Sequence, residues 1–192
     1  MTPYQLSQLP KSSLIVNEMV DQMNAVRLAQ FNARTSTICA LTGLSNKKVR
    51  LIITAISNRN PQKGRGVENL DDYINNKKHR RHVSYIVQTY RNGIELGLSH
   101  IESIIQTYMM YQATLSAFSD TRTYVDIDHA FFIIQETNKR TDFDMNNCNS
   151  CKSRYFYYKY EIPSVCPFCS DKRDIQPQIY IEDDETIKRK VA

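Results

Sequence analysis

The sequence predicts a mainly α-helical protein: a helical domain containing a helix-turn-helix, followed by a small C-terminal zinc-ribbon-like module with four cysteines. Three observations carry that expectation. The 192-residue chain has only 5 glycines and 6 prolines, too few for the many tight turns of a sandwich or barrel. Apolar residues recur at helical spacing through most of the chain. Four of the five cysteines crowd into residues 148–169 as two Cys-x-x-Cys pairs. Hydrophobic residues make up 41%, enough for a core, and the length suits one domain plus a small appendage.

The first helix follows Pro10, with Ser12 or Ser13 as its cap. Ile15, Met19, Val20, Met23 and Val26 recur along it toward Ala33. Arg34 to Ile56 reads as two short helices: Ile38, Cys39 and Leu41 are apolar in the first, Gly43 makes the turn, and Ser45 caps the second. Val49, Ile52, Ile53 and Ile56 stripe that second helix. The run Asn58 to Gly66 is a loop, since Pro61 and two glycines cannot continue a helix. Asp71 or Asp72 opens the next helix, striped by Val83, Ile86, Val87, Tyr90 and Ile94 and stopped by Gly93 and Gly97. Ser99 and Glu102 form a capping box ahead of Ile101, Ile104, Ile105, Tyr108 and Met109, the expected buried face. Asp126 or Asp128 opens the last helix, through Ala130, Phe131 and Ile134. From Cys148 onward, short aromatic strands and knuckles are expected, with Arg154 to Tyr160 as strand or hairpin.

Cys148-x-x-Cys151 and Cys166-x-x-Cys169 are separated by fourteen residues. Two residues between cysteines let both thiolates reach one tetrahedral ion, and two such pairs close a four-sulfur site with no open position. The expectation is one structural Zn²⁺ per chain on these four cysteines. Zinc is favoured over iron because nothing in the chain points to redox work. Two disulfides are the competing use of the thiols, disfavoured by the spacing. The segment is too small to fold alone, so metal binding should supply its folding energy. Its aromatics are read as packing against a neighbouring domain or subunit, with base stacking as the alternative.

The stretch Thr37 to Ile52 has the spacing of a DNA-reading helix-turn-helix. Cys39 is small where two helices approach, Gly43 takes the left-handed turn, Leu44 buries under it, and Val49 and Ile52 anchor the second helix. Ser45, Asn46, Lys47, Lys48 and Arg50 are left on the polar face and N-terminal end, where such a helix meets bases and phosphates. An ordinary helical hairpin has the same local pattern, so the surrounding charge matters. Residues 47–91 carry 11 basic and 3 acidic side chains, against 3 and 8 over residues 92–147. A basic block of that size points to a polyanion. Arg59, Lys63 and Arg65 in the loop, and Lys77, Lys78, Arg80 and Arg81 beyond it, are further candidate phosphate contacts. His79 and His82 are read as part of the same basic surface. The expected division is a helical DNA-binding and oligomerisation domain over 1–145, a zinc-binding module over 146–175 and a polar tail over 176–192.

Several classes fall away. No catalytic constellation or phosphate-binding glycine loop is present; His100 and His129 each follow a helix cap and have no nucleophile partner. The protein is not expected to be an enzyme or to take a small-molecule substrate. The apolar runs are far shorter than the roughly 20 residues of a membrane helix, and the N-terminus lacks a signal-peptide pattern. A cytoplasmic protein without membrane contact is expected.

The order of helix, helix-turn-helix, basic loop, helical core and late four-cysteine site resembles the FlhC family of transcriptional activators. The residues that carry the resemblance are Ala25-Val26-Arg27-Leu28, Leu44-Ser45, Val49-Arg50-Leu51-Ile52, Pro61-x-Lys63-Gly64, Cys148-Asn149-x-Cys151 and Cys166-x-x-Cys169. The resemblance implies an activator subunit acting on double-stranded promoter DNA in a hetero-oligomer with a smaller FlhD-like helical partner, and contact with RNA polymerase. It also implies zinc on the four cysteines. The chain has no Trp, where flagellar members tend to have several. That departure looks more like the relatives on conjugative elements, of the AcaC and SetC type, so activation of conjugative-transfer genes is expected, with flagellar class II genes as the alternative target. A reading from another class is a zinc-dependent protein-interaction adaptor that does not bind DNA.

Overall fold

The helical spacing is realised as six helices and one hairpin among the residues that the computed structural model describes, which are 11–57, 69–71, 73, 77–115, 124–159 and 166–169. The helices are α1 (Lys11–Gln30), α2 (Thr35–Thr42), α3 (Asn46–Ser57), α4 (Lys77–Glu95), α5 (His100–Thr114) and α6 (Ile127–Lys139); the strands are β1 (Phe143–Asn147) and β2 (Arg154–Tyr158). The side chains of Ser12 and Ser13, the basic loop with Arg59, Lys63 and Arg65, Asp72 and the tail 176–192 lie outside the described residues.

Local chemistry sets the helix ends. At α5 the Ser99 side chain accepts from the Glu102 amide while Glu102 reaches back to the Ser99 amide at 3.1 Å, so two otherwise unpaired donors satisfy each other. At α6 it is Asp126 that caps, accepting from the His129 amide at 2.8 Å. Asp128 instead receives the Arg34 amide at 3.0 Å, ahead of α2. Gly97 at φ +86° follows α4 and takes the left-handed conformation cheaply. Gly93 does not stop α4, contrary to the sequence expectation. It lies within the helix, and a Cβ there would sit 3.0 Å from Ser103 Oγ. Its smallness lets α5 approach.

The helices fall into two packed groups. α3 packs on α1 and α2, whereas α4 packs on α5, α6 and β2; α1 also touches α5. One continuous core joins them, with Leu28, Ile38, Val49, Ile86, Ile105, Tyr108, Ile133 and Ile134 all buried. His82 belongs to this core rather than to the basic surface: it is buried, with Nδ1 2.7 Å from the Tyr111 hydroxyl. The reason is periodic, since position 82 is one turn before Ile86 on the buried face of α4. Tyr111 also accepts from the Val125 amide at 3.1 Å, and burial pushes its hydroxyl pKa up to about 12, keeping it neutral.

The strand β1 precedes the first cysteine and was not anticipated, although Phe143 and Met145 alternate with polar neighbours in the period of a strand. It pairs antiparallel with β2, Phe143 opposite Tyr158 and Met145 opposite Phe156. Phe143 and Phe156 stack at 4.9 Å between ring centroids and belong to the same core as the helices. The hairpin is therefore built into the helical core.

Two expectations follow. Ser99→Ala should lower unfolding stability by about 1 kcal/mol through loss of the cap, read by chemical denaturation. Asp126 is held below the usual carboxylate range: burial opposes ionisation, but bonds from the His129 ring and amide outweigh it. Its contribution is present above the ordinary carboxylate pKa and is lost as pH falls through the depressed one, below about pH 4. Asp126→Asn, which still caps but cannot titrate, should lose stability less steeply on acidification over that range.

Candidate metal centre and nucleic-acid interface

The hairpin positions the first cysteine pair. Cys148 directly follows β1, and its amide donates to the Ser153 carbonyl at 2.9 Å while the Lys152 amide returns to the Cys148 carbonyl at 2.8 Å. Lys152 sits at φ +62°, closing the tight knuckle that carries Cys151. The second pair flanks Pro167, whose carbonyl accepts from Arg81 Nε on α4. Tyr155 is buried between the pairs, against Cys148 and Cys166.

All four sulfurs, of Cys148, Cys151, Cys166 and Cys169, lie within 4.8 Å of one another. Cys148 and Cys169 are 3.5 Å apart, and Cys151 and Cys166 are 3.8 Å apart. A tetrahedral four-sulfur zinc site, with bonds of about 2.3 Å, has sulfur–sulfur edges of about 3.8 Å. A disulfide would need about 2.05 Å, and all four thiols are free. The residues therefore fit a tetrahedral metal ion. Cys39 stands apart from this cluster, half-buried, with its sulfur 3.7 Å from Asn46 Oδ1 across the α2–α3 turn.

The electrostatics agree with a cation site. Burial works against ionising Cys148 and Cys151, but the Cys151 and Ser150 amides outweigh it at Cys148, and Ser153 outweighs it at Cys151, which falls to about 6. Burial pushes Cys166 up to about 11, and the neighbouring Cys151 sulfur pushes Cys169 up to about 12. Gathering the four sulfurs makes some of the thiols harder to ionise, a cost that a bound cation would offset. Four thiolates would leave no position for a reacting water.

Those of the expected DNA-contacting residues that are described divide between two places. Gly43, at φ +71°, donates its amide to the Cys39 carbonyl at 2.9 Å and turns the chain. Leu44, Val49 and Ile53 are buried beneath the turn and along α3, and Ile52 packs against the core. Ser45 caps α3 weakly, with the Lys48 amide 3.5 Å from its hydroxyl. Ser45, Asn46, Lys47, Lys48 and Arg50 are all exposed. Asn46, Lys47 and Arg50 line a shallow concavity with Leu51 and Thr54. The sequence reading passed over these last two as candidate contacts, although Leu51 lies one turn after Lys47 and Thr54 one turn after Arg50.

The second set lies on α4. Lys78 is exposed, while Arg80 and Arg81 are half-buried, Arg81 holding the second cysteine knuckle; the side chain of Lys77 lies outside the described residues. The strand aromatics are mostly occupied: Tyr155 and Phe156 are buried, and Tyr157 and Tyr158 are half-buried. The Phe156 amide donates to Ser84 Oγ on α4 at 2.9 Å. Knuckle, strand and basic helix are thus bonded together.

That joint is testable. Ser84→Ala leaves the buried Phe156 amide without its acceptor and should cost about 1–3 kcal/mol, read by denaturation of the metal-loaded chain. Cys166→Ser should abolish stoichiometric metal binding, read by elemental analysis of the purified protein.

Among the described residues no helix is long and apolar enough to cross a membrane. No curated protein matches the chain. A family model described as "Flagellar transcriptional activator (FlhC)" matches residues 10–174, which takes in α1 to α6, the hairpin and all four clustered cysteines. The chain belongs to the FlhC family of transcriptional activators.

Proposed function

We propose that this protein is the DNA-binding subunit of a transcription activator, working in the cytoplasm in a hetero-oligomer with a small FlhD-like helical partner and contacting RNA polymerase at the promoter. The observation that carries the DNA reading is the exposure of Ser45, Asn46, Lys47, Lys48 and Arg50 together on the first turns of α3, behind the Gly43 turn. A helix presented by its N-terminal turns, with Leu44 and Val49 holding it to the core, suits entry into the major groove of double-stranded DNA. Lys47, Lys48 and Arg50 supply phosphate contacts or a base-edge contact, and Asn46 is positioned for adenine. Lys78 and Arg80 on α4 are further phosphate contacts in this reading, and the sequence adds Arg59, Lys63 and Arg65 as candidates.

Cys148, Cys151, Cys166 and Cys169 hold one Zn²⁺ in this reading. The spacing of the pairs and the sulfur–sulfur distances support zinc, and a closed four-thiolate set makes it structural. The metal fixes the knuckle to which Arg81 is bonded, so it steadies α4 and the cations near its start. No enzymatic step is assigned. The absence of Trp supports genes of conjugative transfer as the target, and the family description supports the flagellar class II genes as the second reading.

Lys47→Ala and Arg50→Ala should each weaken binding to the cognate promoter. Each phosphate contact removed should reduce the slope of log K against log salt by about 1. Promoter binding of unchanged affinity and salt slope in both variants would remove α3 from the interface.

A further inference from the structure

Leu51 stands on the wrong face of α3 for an apolar residue. The helix buries Val49 and Ile53, and Ile52 and Ile56 pack partly buried against the core. At 100° per residue, Lys47, Leu51 and Thr54 each lie within about 30° of the direction opposite that buried face. All three are exposed, and Leu51 is 65% exposed. Its side chain adds nothing to the core.

A single exposed leucine is ordinary on a protein surface. The setting of this one is not. It shares a shallow concavity with Asn46, Lys47, Arg50 and Thr54, so its neighbours are two cations and an amide, the groups that meet nucleic acid. Thr54 stands three residues on, beside Leu51 on the helix surface. The Thr54 hydroxyl donates to the Arg50 carbonyl at 2.9 Å, so its proton is spent within the helix and its methyl adds to the apolar spot. Leu51 belongs to the second turn of α3 (Asn46–Ser57), within the N-terminal part that a recognition helix lays on base edges. The base edges of the major groove offer donors and acceptors throughout, and one apolar group, the thymine 5-methyl. Leucine has no donor for a phosphate and no polar atom for the other edges.

We infer that Leu51 is a specificity-determining residue that packs on the 5-methyl group of a thymine in the major groove, with the Thr54 methyl beside it. The inference rests on the DNA-binding reading of α3 above and deepens it by naming the base feature that is read. Lys47 and Arg50 supply charge on the same face, and Leu51 supplies discrimination between sequences.

The test uses the full chain co-purified with an FlhD-like subunit. The complex selects its site from a pool of random double-stranded DNA, and the selected site is then synthesised with deoxyuridine replacing each thymidine in turn, which removes one methyl at a time. At one or two positions the unaltered protein should lose about fourfold in affinity, the contribution of one buried methyl. Leu51→Ala should weaken binding to the thymine site by a similar factor and be indifferent to deoxyuridine at that position, so the two losses do not add. Leu51→Met keeps an apolar contact and should stay sensitive to the methyl. Neither variant should change the slope of log K against log salt, since no phosphate contact is removed. Circular dichroism of both should match the unaltered chain, because the side chain is exposed. If Lys47→Ala and Arg50→Ala weaken binding while Leu51→Ala leaves every deoxyuridine response unchanged, the inference alone is overturned. If no common site is selected, or both charge variants bind it unchanged, the DNA reading of α3 falls and takes the inference with it. Loss of the co-purifying subunit on Leu51→Ala would assign the side chain to a protein contact and overturn the inference.

Discussion

Phe156 sits where the two chemistries of this protein meet. Its ring is fully buried, stacked on Phe143, and its amide donates to Ser84 in the middle of α4. The ring contributes to the apolar core of the helices, and the same strand carries Tyr155, which is buried with Cys148 and Cys166. Two or three kilocalories of burial at such a position are enough to set the placement of a hairpin that has only five pairs of facing residues. Arg81 adds the second tie, from α4 to the carbonyl inside the second knuckle. A four-sulfur site that floated free would fold only its own few residues. This one is braced against a long helix, so order at the cysteines and order along α4 are coupled.

The same logic of fixed supports governs α3. Exposed cations are worth little when their helix can drift, because each long side chain must give up rotamer freedom to make a contact. Val49, Ile53 and Leu44 are buried, and the Gly43 turn sets the angle between α2 and α3. The polar side chains at the start of α3 are thereby displayed from a rigid element, as recognition of a regular polyanion demands. Glu18 adds a restraint by pairing with Lys48, and that pairing lowers the carboxyl pKa of Glu18. Lys48 has an intramolecular partner with which any anion at that position would compete, whereas Lys47 has none among the described residues.

Much of this was legible in the sequence for reasons that are local. A helix must place apolar residues every three or four positions, so α3, α4, α5 and α6 announced themselves, and so did the caps at Ser45, Ser99 and Asp126. Cys-x-x-Cys pairs are legible because tetrahedral thiolate geometry leaves few alternatives at that spacing. The errors were also local in origin. Gly93 looked like a stop because composition cannot say whether a small residue ends a helix or admits a neighbour. His82 looked basic because it stands among Lys77, Lys78, Arg80 and Arg81, yet its periodic position assigns it to the core. β1 was missed because five residues of weak alternation carry little signal.

The sequence by itself determined the helical class, the four metal-fitting cysteines, the Gly43 turn and the family, since each depends on spacing along the chain. The tertiary structure decided which part of α1 is buried: Ala25, Leu28 and Ala29 are covered, whereas Ile15, Met19, Val20 and Met23, apolar at helical spacing, are exposed, because periodicity along one helix does not say where its neighbours pack. It also decided the destination of Arg81. Nothing along the chain links residue 81 to residue 167, and only the folding of the hairpin onto α4 brings the guanidinium to that carbonyl.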